Sequence, residues 1–185
     1  MSILPREFYQ QDTVKVAKDL LGKKIVRKIG RQEISGIITE TEAYRHKDDP
    51  ASHAFRKITE RNKAMFGNVG MAYVYFTYGM YYCFNVVARH PKTAAGAVLI
   101  RAIEPENGIK IMQKNRKKYN MENLTNGPAK LTQALEITKE QYGVDLTKHT
   151  ELFITEGIKT KKILVSFRIG IKEATDKLWN FKIKI

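Results

Sequence analysis

Two runs of aromatic and β-branched residues, Tyr73-Val74-Tyr75-Phe76-Thr77-Tyr78 and Tyr81-Tyr82-Cys83-Phe84-Asn85-Val86-Val87, meet around Gly79. Such residues fit the pleated surface of a sheet, and a glycine between them supplies the positive φ of a tight hairpin turn. The middle of the chain is thereby committed to antiparallel pairing. Residues 23–29 and 33–44 predict a second strand pair around Gly30-Arg31, and residues 97–103 a further strand. In the tail, strands are expected near residues 152–154, 162–169 and 178–183. Helix signals are fewer. Asp12-Thr13 can cap a short helix that runs to Leu20-Leu21 and closes at Gly22. Thr59-Glu60-Arg61-Asn62 opens an expected short helix ending at Phe66-Gly67. Residues 107–118, with Ile109, Ile111 and Met112 among basic residues, suit an amphipathic helix, and residues 130–135 another. Residues 45–55 are polar, carry Pro50 and read as a loop. Strands and helices without regular βαβ alternation make the class mixed α+β.

Charge narrows the partners. Lys and Arg total 33 against 19 acidic residues, a net charge of +14. That excess suits a binder of nucleic acid or another polyanionic surface, although solubility alone also accounts for it. The single cysteine, Cys83, excludes an internal disulfide and is expected to be a buried, inert thiol. The start, Met1-Ser2-Ile3-Leu4-Pro5-Arg6, has no apolar leader core, and no stretch is long enough to span a bilayer. The expectation is a cytoplasmic, nucleoid-associated protein with no membrane partner. Neither GxxxxGK[ST] nor GxGxxG occurs, so nucleotide cofactors lack support and no cofactor is expected.

Residues i and i+2 of a strand share a face, so Glu40, Glu42 and Tyr44 would line one side of the 33–44 strand. Glu42 can then be a general base for water, or a surface glutamate facing lysines. Glu40 and Glu42 together also permit a sugar hydrolase with two carboxyl groups, against which stands the lack of tryptophans other than Trp179. Tyr73 and Tyr75 share a face, while Tyr78 falls at the hairpin tip. An extruded base needs an aromatic wall and the duplex gap needs a plug, roles that suit Tyr75 and Tyr78. A core-facing aromatic strand is the plain alternative. Arg101 interrupts an apolar strand and must find a partner or border a wet cavity. His46, Asp48, Asp49 and His53 resemble metal ligands only loosely, with Lys47 among them, so no metal is expected.

Taken in order, several segments resemble the alkyladenine (3-methyladenine, or methylpurine) DNA glycosylase family from about Pro5 to Ile183. They include Ala17-Lys18-Asp19-Leu20-Leu21-Gly22, Thr39-Glu40-Thr41-Glu42-Ala43-Tyr44 and Asp49-Pro50-Ala51-Ser52-His53-Ala54. Arg61-Asn62-Lys63-Ala64-Met65-Phe66, Ala72 to Met80, Val98 to Pro105 and Asn126 to Leu131 continue the match. The resemblance implies a monofunctional glycosylase that hydrolyses the N-glycosidic bond of alkylated or deaminated purines in double-stranded DNA, without metal, starting base excision repair. It implies Glu42 as the base that activates water and Arg101 as a residue holding that water. Tyr44, His53 and Tyr75 would sandwich the flipped base, Asn85 would guard against normal guanine, and Tyr78 would fill the vacated space. Arg168-Ile169-Gly170-Ile171 matches a late motif whose backbone closes the water site, whereas residues 172–176 are less typical and the end at Lys182-Ile183-Lys184-Ile185 departs from the family's pattern. Lys114, Arg116, Lys117, Lys118 and Lys130 are candidates for phosphate contact. The expected architecture is a single domain over residues 1–185: a curved, mostly antiparallel sheet with flanking helices and a protruding β-hairpin, acting as a monomer. A protein of this fold that binds lesions without releasing them is the main alternative.

Overall fold

The computed structural model describes residues 2–160 and 162–185. Two short helices, α1 (Arg6–Tyr9) and α2 (Thr13–Asp19), precede strands β1 (Lys24–Ile29), β2 (Gln32–Arg45), β3 (Ala72–Thr77), β4 (Tyr81–Val87) and β5 (Gly96–Asn107). Helices α3 (Ile109–Arg116) and α4 (Pro128–Ala134) follow, then strands β6 (Leu152–Thr155), β7 (Leu164–Ser166) and β8 (Asn180–Lys182). The strands form one curled antiparallel sheet in the order β3-β4-β5-β2-β1-β6, with β8 paired to β2 and β7 to β8. The mixed α+β expectation, the curved sheet and the hairpin are all observed.

β2 is the spine. Its first half pairs with β1 over residues 32–37, its second half with β8 over residues 40–42, and β5 runs along its other edge from residue 35 to residue 45. Alternation divides its faces. Thr41 turns toward α2, where its hydroxyl donates to the Ala17 carbonyl at 2.7 Å. Glu40 and Glu42 turn the other way. The β2–β5 ladder slips three times, first between Ser35 and Gly36 and then twice beside the glutamates: Ile38 faces Ile103, Glu40 faces Ala102 and Thr41 faces Ile100. Thr39 is thus an extra residue on β2 and Arg101 an extra residue on β5. Bulges re-aim side chains where a regular ladder would keep them in the pleat.

Asp12 caps α2 by accepting from the Val14 and Lys15 amides, as its position predicts. Gly22 follows with φ +82°, and a β-carbon there would lie 2.6 Å from the Ile158 carbonyl oxygen. Inside the curl, Ile25, Ile34, Ile38, Phe84, Ile100 and Phe181 are buried, each contributing about 1.5–3 kcal/mol. Helices α2 and α4 close this core, with Leu20, Leu131 and Ala134 fully covered. A second apolar group, Ala54, Met65, Tyr73, Val87, Ala95 and Ala97, lies against Tyr75 and Tyr142.

Two expected elements differ. Residues 59–66 form only a 3₁₀ turn, Lys63–Phe66. The Asn62 side chain is spent on the His53 and Lys57 carbonyls, at 2.6 and 2.9 Å, and so ties loops together instead of capping an α-helix. Of the strand expected at 162–169, only Leu164–Ser166 is paired. Beyond it the chain leaves the sheet, because the Arg168 side chain and the Ile169 amide are both bound into the site beneath.

Candidate active site

Arg101, the bulged residue of β5, reaches between the two carboxylates of β2. Its Nε donates to Glu40 Oε1 at 3.1 Å and its Nη1 to Glu42 Oε2 at 3.2 Å. The lone arginine of an apolar strand therefore has its partners. Asn180 on β8 faces the same pair from the other edge: its Nδ2 donates to Glu40 Oε1 at 2.7 Å and Glu42 Oε1 at 3.0 Å. Glu42 is fully buried and also accepts from the Ile169 amide at 2.8 Å and the Tyr44 hydroxyl at 2.8 Å. Two donors thus meet each of its oxygens, which fills the four acceptor positions of a carboxylate. Burial first, and the Glu42 charge second, raise the Tyr44 phenol above its usual pKa, so it stays a donor.

This cluster lies at the base of a cavity of about 520 Å³. Tyr44, His53, Tyr73, Tyr75, Tyr78, Asn85 and Arg101 all line it; Glu42 does not, and is reached through Arg101, Tyr44 and Ile169. The residues expected from sequence to act together are thus brought to one place. β3 presents Tyr73 and Tyr75 on one face with ring centroids 5.4 Å apart. His53 meets Tyr75 edge-on at 4.6 Å, and its Nδ1 lies 2.8 Å from the Tyr73 hydroxyl. Loss of hydration, helped by Arg61, lowers the His53 pKa from 6.5 to about 4. The ring's outer side stays open to solvent. Asn85 on β4 is buried and donates to the Tyr73 carbonyl at 3.0 Å, which fixes the orientation of its amide. Burial raises the Tyr75 phenol and the Cys83 thiol, so Cys83 is a protonated lining group.

Tyr78 stands apart. It and Gly79 have φ of +51° and +67°, the sign pair of a type I′ turn, which the Met80 amide closes onto Thr77. A tyrosine rarely holds positive φ, and here the ring is 82% exposed at the cavity rim.

Sequence reasoning missed the back of the site. Asp49 and Arg168 form a fully buried pair with two contacts of 2.7 Å, and Arg168 Nη1 also donates to the Ala43 carbonyl at 3.0 Å. The Arg168 guanidinium lies 4.7 Å from the Tyr44 ring centroid and 5.2 Å from that of Trp179. One pair thus ties the 46–53 loop, β2 and the 168–172 segment. Asp49 and Arg168 stand in quoted motifs, but nothing local marks them as partners, and Asn180 has no signal beyond its place after Trp179.

Alternative chemistries lose support. Asn180 and Arg101 each bridge Glu40 and Glu42, so the two carboxylates lie side by side, whereas a sugar hydrolase sets them on either side of the scissile bond. Arg45, Arg168 and Lys177 crowd the Trp179 ring, leaving it unsuited to stacking a sugar. His46 Nδ1 is engaged by the Ala54 carbonyl at 2.7 Å, and the described residues contain no group of three metal-ligating side chains. Of the basic candidates, Lys130 is held by Asn123 and Asn126, and Arg116 by Gln133 and Asn123, while Lys114, Lys117 and Lys118 are exposed. No helix of the described residues is long and apolar enough to cross a membrane.

Comparison with known proteins points one way. The family model described as methylpurine-DNA glycosylase matches residues 7–185. A protein of Carboxydothermus hydrogenoformans is 49% identical over 184 residues, covering 98% of this chain and 95% of its own. One of Clostridium acetobutylicum is 47% identical over 194 residues, covering 98% and 94%. One of Methanocella arvoryzae is 43% identical over 185 residues, covering 98% and 92%. All three carry the provisional name of 3-methyladenine DNA glycosylase.

Proposed function

The chain belongs to the methylpurine-DNA glycosylase family, and from that premise we propose that it excises damaged purines from duplex DNA by water attack on the N-glycosidic bond, with Glu42 as the general base. The observation that carries the proposal is the carboxylate itself: Glu42 is fully buried, gripped by four donors and set at the base of a cavity walled by tyrosines.

The exposed Tyr78 enters the duplex and fills the gap left by the extruded nucleotide. The purine stacks on Tyr44 and Tyr75, with His53 edge-on, and Asn85 meets its edge. An electron-poor alkylated purine gains most from such faces. Water sits between Arg101 and Glu42, its oxygen turned to the sugar C1′. As the glycosidic bond breaks, positive charge grows on the sugar, and the buried carboxylate stabilises it where water cannot screen it. Positioned proton transfer to Glu42 contributes roughly 10²–10⁴-fold. Direct attack of water on C1′ leaves an abasic site as the product. The protein acts as a monomer that encloses one nucleotide.

One observation favours a second reading, a lesion-binding protein without turnover. All four acceptor positions of Glu42 are occupied, so one donor must yield before water can be bound. The contact with Arg101, the longest at 3.2 Å, is the one expected to give way. The two readings separate in one assay: release of 3-methyladenine and hypoxanthine from duplex DNA, with chelator present, by wild type and Glu42→Gln. Release by wild type alone supports the glycosylase with Glu42 as its base. Release by both removes Glu42 from that role, and lesion-selective binding without release supports the second reading.

A further inference from the structure

The cavity's cations are not equally compensated. Arg101 is matched by Glu40 and Glu42, and Arg168, behind Tyr44, by Asp49. Arg61 and Lys172 also line the cavity, and neither pairs with a carboxylate among the described residues. Of these two only Arg61 lies against a wall ring, its guanidinium carbon 5.0 Å from the Tyr75 centroid. It is held there by a hydrogen bond from Nη2 to the Phe76 carbonyl at 3.2 Å, next to Tyr75 in β3. Its field also reaches His53 across the same wall, where it adds to the loss of hydration in keeping that ring neutral. An exposed positive charge without a carboxylate partner, tethered to the Phe76 carbonyl, therefore stands beside the place where a purine would stack.

We propose that Arg61 is a specificity-determining residue, which stabilises the negative charge developing on a neutral purine as it departs and so favours neutral damaged purines over permanently cationic ones. This rests on the glycosylase reading above. When the bond between C1′ and N9 breaks, its electron pair stays on N9. A neutral purine then leaves as an anion, which takes a proton from solvent, whereas a cationic N-alkylpurine leaves neutral. In both, the water oxygen bonds to C1′ and its proton passes to Glu42. A cation beside the ring assists the first departure and repels the bound form of the second base. It also draws electron density from Tyr75, which lowers that ring's attraction for a cationic base. At roughly 8 Å and an effective dielectric near 20, half a unit of developing charge responds by a factor of about three to ten.

The test is a ratio taken within one protein, so the folded fraction and general DNA affinity cancel. kcat/KM is measured for release of hypoxanthine, a neutral base, and of 7-methylguanine, a cationic one, from otherwise identical duplexes. Arg61→Gln is expected to lower the hypoxanthine to 7-methylguanine ratio about threefold to tenfold, and Arg61→Lys, which keeps the charge, to retain most of it. An unchanged ratio in Arg61→Gln overturns the proposal, as does an equal fall in both variants, which would assign Arg61 a purely geometric role on the hairpin. Release of neither base by wild type refutes the glycosylase reading itself, a result distinct from an unchanged ratio.

Discussion

Replacing Asp49 with asparagine tests whether the buried pair behind Tyr44 holds the site together. Both side chains are fully buried, and their two contacts are each 2.7 Å. Asparagine keeps the shape and removes the charge. Arg168 is then left in a dry position with only neutral acceptors, the new amide oxygen and the carbonyls of Ala43 and Ala174. Removing one partner of such a pair costs about 3–5 kcal/mol, mostly as the penalty of an uncompensated buried charge. In a chain of this size each kcal/mol moves Tm by about 2–4 °C, so a fall of roughly 6–20 °C is expected. Arg168→Met should cost a similar amount, because Asp49 keeps only the Arg45 amide, at 3.1 Å, as a listener for its charge. The double variant removes both charges, so it should be less destabilised than the sum of the singles by about 2 kcal/mol or more. Urea unfolding of the four proteins at one pH gives the cycle. Single losses under about 1 kcal/mol, or strict additivity, would refute the reasoning. Below its lowered Tm, Arg168→Met should still lose base release, because the 168–172 segment then no longer presents the Ile169 amide to Glu42.

Asn180→Ala removes the donor shared by Glu40 and Glu42. Hydrogen bonds to charged groups contribute about 1.5–3 kcal/mol, so single-turnover base release should fall roughly 10- to 100-fold, and an unchanged rate would exclude Asn180 from positioning Glu42. His53 gives a pH dependence of defined sign. Its folded pKa, about 4, lies below the unfolded 6.5, so its contribution to stability is present above pH 6.5 and is lost as pH falls toward 4. Urea midpoints at pH 7.5 and pH 5 should therefore separate more for wild type than for His53→Gln; equal separations would show that His53 carries no such linkage.

Much of this architecture was legible because its signals are local. The Asp12 cap, the turn at Gly30 and the hairpin at Gly79 each rest on residues within a few positions of one another. The common face of Glu40, Glu42 and Tyr44 follows from the two-residue period of a strand, and Thr41, between them, does point to the opposite side. The short helix expected at 59–66 ends at Phe66 as anticipated but is cut to the 3₁₀ turn Lys63–Phe66, because the Asn62 side chain serves carbonyls of the preceding loop. The strand expected at 162–169 ended early because Arg168 and Ile169 are bound by β2 and by the 46–53 loop, far away in sequence.

The sequence by itself determined the class of fold, the turns, the basic surface and the residue types from which a carboxylate and aromatic site can be built. Only the tertiary structure decided which of them meet. The slips at Thr39 and Arg101 aim an arginine at two glutamates, β8 brings Asn180 to the same pair, and Arg168 crosses to Asp49. The physical reason is range: caps, turns and strand periods are governed by neighbours along the chain. A buried charge, by contrast, is stabilised by whichever partners the folded sheet brings against it, and for the contacts of Arg101, Arg168, Ile169 and Asn180 those lie 59 to 140 residues away.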